Sequence, residues 1–265
     1  MVSLASAIRQ EGYAVLRGAL PSGPVEEARK RCVSEFDTST LWFGGGTILG
    51  HIAYTLPPDL DIVGKLIANV SVVNCASDIL GSDFEVVAMG CNVNLRGSGF
   101  QPAHEDGDMD SGYLGVNLPL GDVDEENGSL ELFAGTHRTT LTYAEFVRAC
   151  REGIARRVNT SSGDVIIRYP SLWHRGTPNH CSAPRFMISV LLGRHGAASN
   201  ATPLSLSPNN IAVIDRAGVR AHMAATDTKT GHFHPTYFPR TPRGLAKELA
   251  WRYTPPLYNL LRRLA

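Results

Sequence analysis

From residue 83 onward the chain is a succession of short apolar or alternating runs. "FEVVAMGCNVNLR", "GYLGVNLPL", "SLELFAG", "GDVIIRYP" and "RFMISVLLGR" are bounded by Gly, Pro, Asn or Asp. Runs of that length and punctuation read as β-strands. Only "YAEFVRACREG" interrupts them as a helix. The first part of the chain is mostly helical. "SLASAIRQEG" is a short helix that Ser3 caps and Gly12 ends, and "YAVLRGAL" is a strand. "PSGPVEEARKRCVSEF" is a helix with Pro24 in its first turn. Residues 38–56 read as a Gly-rich loop, and residues 59–80 as one helix despite their β-branched content. Helices followed by many short strands predict a mainly β, α+β fold: a sandwich or barrel core with helices on one side.

The 265 residues allow one large domain or two small ones. We find no repeat, no low-complexity segment and no linker, so we expect one domain over 1–265, with 205–265 packed on the core. In that last part "GHFHPTYFPRTP" reads as loop, and "RGLAKELAWRY" and "LYNLLRRLA" as short helices. Lys+Arg and Asp+Glu both number 25, which leaves no global field for nucleic acid. The cysteines at 32, 75, 91, 150 and 181 are scattered and odd in number, which fits a reducing cytoplasm. No basic-then-apolar leader opens the chain, and no apolar run reaches the ~18 residues of a membrane span.

The acids of "HEDGDMDSGY" crowd one histidine: Glu105, Asp106, Asp108 and Asp110 follow His104. Acids this close ask for a cation. Calcium is disfavoured, because an EF-hand loop opening at Asp106 needs Gly sixth and an acid twelfth, and Ser111 and Asn117 stand there. A zinc protease is disfavoured by the lack of HExxH. Iron(II) in a two-His, one-carboxylate site uses H-x-D/E plus a distant His. On an extended strand end His104 and Asp106 point to one side and Glu105 to the other. His174 in "PSLWHRGTPNH" is the candidate distant ligand.

Together these pieces resemble the phytanoyl-CoA dioxygenase family of Fe(II)/2-oxoglutarate-dependent oxygenases. The carriers are His104/Asp106, "ENGSLELFAGTH" from Glu126 to His137, Gly163-Asp164, His174-Arg175-Gly176, Asn179, Ser182 and Arg185, in order and at matching spacing. The opening "IRQEGYAVLRGALPSGPVEEAR" is similar too, so the likeness covers roughly residues 5 to 195. It implies a double-stranded β-helix (jelly-roll) core with helices on one sheet. It implies Fe(II) held by His104, Asp106 and His174 as the catalytic and metal residues, with 2-oxoglutarate as cosubstrate and O2 as oxidant. Arg185 is then the partner of the cosubstrate's distal carboxylate. A guanidinium is a planar, always charged fork suited to that group, and an unpaired buried cation would otherwise cost several kcal/mol.

Departures bear on the pocket. Family members often carry Trp near the position of Asn117, so Asn117 is a candidate contact to cosubstrate or substrate, with Asn94 and Asn92 as others. The P-G-S-H turn is "AGTH" here. Asp106 is a carboxylate, which argues against halogenation. His51 and Tyr54 are candidate substrate contacts; Phe100 and Met109 flank the metal motif; Trp173 reads as wall packing and His180 as a loop residue. Asp164 is the rival partner for Arg185. The expected reaction is oxidation, chiefly hydroxylation, of an unactivated C–H bond of a small molecule, in natural-product biosynthesis. Sugar, nucleoside or amino-acid substrates, with desaturation, cyclisation or epimerisation, are alternatives. A jelly-roll metal protein without 2-oxoglutarate, or a silent binding module, are the rivals of other classes.

Overall fold

The computed structural model of the chain describes residues 3–36, 47–54, 56, 57, 59–107, 111–150, 153–196 and 207–221. Asp108, Met109, Asp110, most of the Gly-rich segment and everything after 221, including "HFHPTYFPR" and the segments expected as two C-terminal helices, lie outside the described residues. Helix α1 (Leu4–Glu11) is followed by β1 (Tyr13–Leu16), α2 (Ser22–Glu35), β2 (Thr47–Ile48), β3 (His51–Tyr54), α3 (Asp61–Ile67) and α4 (Val70–Leu80). Then come β4 (Phe84–Asn94), β5 (Tyr113–Pro119), β6 (Leu130–Phe133), α5 (Tyr143–Cys150) and β7 (Ala155–Val158). The series ends with β8 (Val165–Arg168), β9 (His174–Gly176), β10 (Arg185–Arg194), α6 (Pro208–Arg216) and β11 (Arg220–Ala221).

The strands form a jelly-roll core of two sheets. The large sheet runs β1-β8-β5-β10-β4-β3-β2, with β11 added parallel to β4, and the small one runs β7-β6-β9. The long antiparallel pair β4–β10 is its spine, running from Arg185 opposite Asn94 to Arg194 opposite Phe84 with one register shift between Leu191 and Leu192.

Alternation along the large sheet separates its two jobs. One set of side chains packs the helices: Ile52 and Tyr54, Cys91 and Val93, Leu114 and Val116, Val165 and Ile167, Ile188 and Val190 all belong to one buried cluster with Ile8, Val25 and Leu66. Each fully buried aliphatic of this kind contributes ~1.5–3 kcal/mol. The other set faces the space between the sheets: His51, Asn92 and Asn94, Asn117, Arg168, and Arg185, Met187 and Ser189 line one cleft. The same alternation therefore stabilises the sheet on its back and equips a site on its front.

Helix boundaries follow local chemistry. Ser3 Oγ accepts from Ser6 N–H to start α1, and Gly12 closes it by donating to the Ile8 carbonyl at 2.8 Å. The single helix expected over 59–80 is two. Asn69 accepts from the N–H groups of Ser71 and Val72, capping α4, so the chain breaks at Ala68-Asn69 and α3 meets α4 at a 51° bend. The expected loop over 38–56 is also corrected at its end, where β2 and β3 pair and β3 extends the sheet along β4.

Candidate metal centre

His104 and His174 come together through their backbones. His104 N–H donates to the His174 carbonyl at 3.0 Å and His174 N–H to the His104 carbonyl at 2.9 Å, an antiparallel bridge beside β9. That bridge holds the two imidazoles with centroids 4.4 Å apart. Asp106 is tethered by its own N–H to the Pro170 carbonyl at 2.9 Å. Its Oδ1 lies 3.5 Å from His104 Nε2 and its Oδ2 3.3 Å from His174 Nε2. One ligand atom from each of the three residues falls within 4.8 Å of the others.

The hydrogen bonds set the tautomers. His104 Nδ1 lies 2.9 Å from the Pro102 carbonyl, and His174 Nδ1 2.9 Å from the Leu172 carbonyl. A carbonyl only accepts, so each Nδ1 carries a proton and each Nε2 is the ring nitrogen turned toward Asp106. Burial, reinforced by the neighbouring His174, pushes the His104 pKa down to about 4, so its ring is neutral near pH 7. Burial alone would raise the Asp106 carboxyl, but His174 and Arg168 outweigh it and hold the group well below the usual carboxylate range. Two imidazole Nε2 atoms and one anionic oxygen facing an open cleft are the donor set of a non-heme iron(II) centre, so the residues present fit that metal.

Arg168 is the residue that the sequence reading missed. It is buried and donates from Nη2 to Asp106 Oδ2 at 2.5 Å. In "GDVIIRYP" its face is concealed by apolar neighbours on both sides. The signal is its parity with Ile166, which packs between the sheets with Leu130 and Leu172.

Arg185 opens β10 and is also buried. Its Nη2 donates to the Gly128 carbonyl at 2.9 Å, its Nε has no protein acceptor, and no described carboxylate pairs with it. Burial pushes its pKa down to about 10, which still leaves it charged at neutral pH. Asp164, the rival partner, instead accepts from Arg17 and from the N–H groups of Gly18 and Ser161. A buried guanidinium without a counterion is a ready seat for a carboxylate.

His51, Asn94 and Arg185 form a row across β3, β4 and β10, because Asn94 is in register with both of the others. Asn94 Nδ2 donates to the Thr177 carbonyl at 2.8 Å and its Oδ1 has no partner. His51 donates from Nε2 to the Gly99 carbonyl at 2.7 Å, and burial pushes its pKa down to about 3. Asn117 uses its Nδ2 on Ser189 Oγ at 2.6 Å, and Asn92 reaches the same oxygen at 3.1 Å. Asn117 Oδ1 is buried without a partner, so this residue offers the cleft an acceptor, suited to a hydroxyl or amine rather than a carboxylate. The cleft encloses about 420 Å³ and includes the three candidate ligands, Arg168 and Arg185.

Other candidates fall elsewhere. Tyr54 points to the helical side and meets the Phe36 ring at 5.7 Å, so it is not in the cleft. Trp173 stacks on Phe146 at 4.2 Å as wall packing. Phe100 lies under the Arg175 guanidinium, and His180 is exposed.

Residues 8–187 match the profile of the phytanoyl-CoA dioxygenase family. Three solved structures share the fold. EctD from S. alaskensis, solved with 2-oxoglutarate and 5-hydroxyectoine, is 17% identical with a TM-score of 0.61, over 77% of this chain and 82% of that one. The non-heme alpha-ketoglutarate-dependent epimerase SnoN from nogalamycin biosynthesis is 19% identical with a TM-score of 0.56, over 72% and 82%. HygX from Streptomyces hygroscopicus, with nickel, 2-oxoglutarate and hygromycin B, is 16% identical with a TM-score of 0.54, over 71% and 85%.

Proposed function

The chain belongs to the phytanoyl-CoA dioxygenase family and is an iron(II)- and 2-oxoglutarate-dependent oxygenase, and from that premise we propose that it hydroxylates an unactivated C–H bond of a small molecule. His104, Asp106 and His174 hold the iron in this reading, and Arg185 takes the distal carboxylate of 2-oxoglutarate. The observation that carries the assignment is the pairing of two features across one cleft. Two imidazole Nε2 atoms and a carboxylate line the same cleft as a buried guanidinium that has no counterion among the described residues.

Iron and 2-oxoglutarate supply the oxidising power when bound, with O2 consumed and the cosubstrate converted to succinate and carbon dioxide. The chain's part is position and exclusion of water. The Pro102 and Leu172 carbonyls fix both imidazole tautomers, and Arg168 fixes the Asp106 carboxylate. Asn94, between His51 and Arg185, keeps its buried Oδ1 without a partner and so offers an acceptor to a substrate donor. Met187, Met89 and Leu191 give the cleft an apolar stretch for a carbon skeleton.

A natural-product substrate is our reading of the cleft's mixed lining, supported by similarity in fold to SnoN and HygX. A second reading is favoured by Asn117, Ser189 and Asn92. Their shared network on the cleft wall suits a sugar, nucleoside or amino acid, and oxidation of such a substrate ends equally well in desaturation, cyclisation or epimerisation. We read residues 1–265 as one domain, supported by α6 packing on α3 through Asn210 and by β11 pairing with β4. Among the described residues no single helix is long and apolar enough to cross a membrane. The five free cysteines support a cytoplasmic location.

The test is an oxygen-free titration of the full chain with Fe(II) and then 2-oxoglutarate, followed by visible absorption. A weak charge-transfer band that needs both components, and disappears in His174→Ala, is the expected result. Iron binding with no band on adding 2-oxoglutarate would refute the cosubstrate assignment and favour a jelly-roll metal protein of another chemistry.

A further inference from the structure

A second cavity, distinct in its lining from the metal cleft, has a volume of about 510 Å³. Arg9 from α1, Arg138 from the turn after β6 and Arg194 at the end of β10 all line it, although they are far apart in sequence. Ser111 and Ser171 add hydroxyl groups, and no described acidic side chain lines it. The chain as a whole is neutral, and several of its other arginines pair with acids, among them Arg17 with Asp164, Arg29 with Glu26, Arg31 with Glu35 and Asp59, and Arg220 with Asp83. Arg138 and Arg194 form no ion pair with a described residue. Arg9 donates to the Asp78 carbonyl near the end of α4 at 2.5 Å, which steadies its guanidinium without neutralising it. Cations gathered around one concave surface repel one another and focus a positive potential into it.

We propose that this cavity is an anion site for a phosphate-type group, with Arg138 and Arg194 as two movable charged arms and Arg9 as a fixed third. Guanidinium forks bind phosphate and sulfate oxygens in pairs, and serine hydroxyls complete such a shell. The volume exceeds what a bare phosphate needs, so the site takes a phosphate or sulfate ester as readily as a free ion. Its walls belong to the segments that build the metal centre. Ser111 lies on the segment between Asp106 and β5, and Ser171 lies three residues before His174 and three after Arg168. The Asp106 N–H bond to the Pro170 carbonyl ties those two segments together. The anion thus comes either from a charged substituent of the substrate or from a free effector. The site itself stands apart from the oxygenase reading; only its link to the substrate rests on that reading.

The experiment titrates inorganic phosphate into the full chain at constant ionic strength, with chloride as the matched control, and reads heat and melting temperature. Saturable binding that chloride does not reproduce, weakened at least tenfold in the Arg138→Gln/Arg194→Gln double variant and in Arg9→Gln, is expected. Binding that is equal in all variants, or no stronger than that of chloride, overturns the proposal. The Fe(II)–2-oxoglutarate band should be unchanged in the double variant, so failure of the anion site and failure of the metal reading are told apart. Succinate release then separates the two sources. Stimulation only by phosphorylated members of a set of phosphorylated and unphosphorylated small molecules assigns the anion to the substrate. Stimulation of an unphosphorylated substrate by added phosphate assigns it to an effector.

Discussion

Arg168 donates to Asp106 on Oδ2, the oxygen that also faces His174 at 3.3 Å, and thereby leaves Oδ1 turned toward His104. A carboxylate held at one oxygen has its plane fixed before any metal arrives. Groups that orient a metal ligand in this way typically contribute 10- to 100-fold in affinity. Arg168→Met should therefore weaken Fe(II) or Co(II) binding by roughly that factor, with Arg168→Lys recovering part of it. Calorimetric metal titration of the three proteins checks this, with circular dichroism to show that each is folded. Equal metal affinity in all three would mean that the contact is only packing.

Arg185 carries the opposite relation to stability. It is buried with one bond to the Gly128 carbonyl, an Nε without an acceptor and no described counterion. Arg185→Met keeps the volume and removes an uncompensated charge, so the melting temperature should hold or rise. The same change should weaken 2-oxoglutarate by at least ~100-fold, since two lost charge-assisted hydrogen bonds at ~1.5–3 kcal/mol each make ~3–6 kcal/mol. A large drop in stability at unchanged 2-oxoglutarate affinity would make Arg185 structural.

These two arginines show what is legible in the sequence and what is not. Arg185 is read from its spacing to His174, and its burial and missing counterion follow in the structure. His104, Asp106 and His174 are read from motif chemistry; one backbone bridge joins the two histidines, and a bond to the Pro170 carbonyl tethers Asp106 beside them. Arg168 is hidden because a strand buried on both faces has no polar alternation to reveal which side a residue takes. His51 and Tyr54 look equivalent in a Gly-rich segment, yet once β3 pairs with β4 they fall on opposite faces. Asn69 looks like an interior helix residue, and only its two accepted N–H bonds mark it as a cap.

Asp164 gives a pH prediction away from the site. It is buried, and burial alone would raise its carboxyl. The N–H groups of Gly18 and Ser161, with Arg17, overcome that and hold its pKa below the ordinary value. Such a group contributes stability above its unfolded pKa and loses it as pH falls through its folded pKa. Arg17 is largely exposed and adds little, so the contribution is that of the two backbone donors. Asp164→Asn can accept both only poorly and should cost about 1–3 kcal/mol at pH 7. Urea unfolding of both proteins should show that gap constant above pH ~5 and shrinking below pH ~4. A gap that stays constant into the acid range would sink the assignment.

Gly128 links the turn before β6 to the cosubstrate seat. Its φ is +90°, a conformation that costs an L side chain roughly 1–2 kcal/mol. A Cβ there would lie 2.2 Å from Asn94 Nδ2 and 2.9 Å from the Thr177 carbonyl, the two groups that bond each other. The Gly128 carbonyl also receives Arg185 Nη2. Gly128→Ala must therefore push Asn94 from Thr177 and shift the acceptor that orients Arg185. Gly18 is the control: it too has positive φ, at +59°, but a Cβ there meets nothing within 4 Å. Both alanine variants should lose the backbone term, and only Gly128→Ala should lose 2-oxoglutarate affinity, by about tenfold or more for the displaced charged hydrogen bond. Fe(II) affinity should be unchanged in both, since the His104–His174 bridge and the Asp106 tether do not pass through this turn. Parallel titrations of iron and 2-oxoglutarate decide the matter. Equal loss of both ligands in Gly128→Ala would mean that the turn supports the fold at large rather than the Arg185 seat.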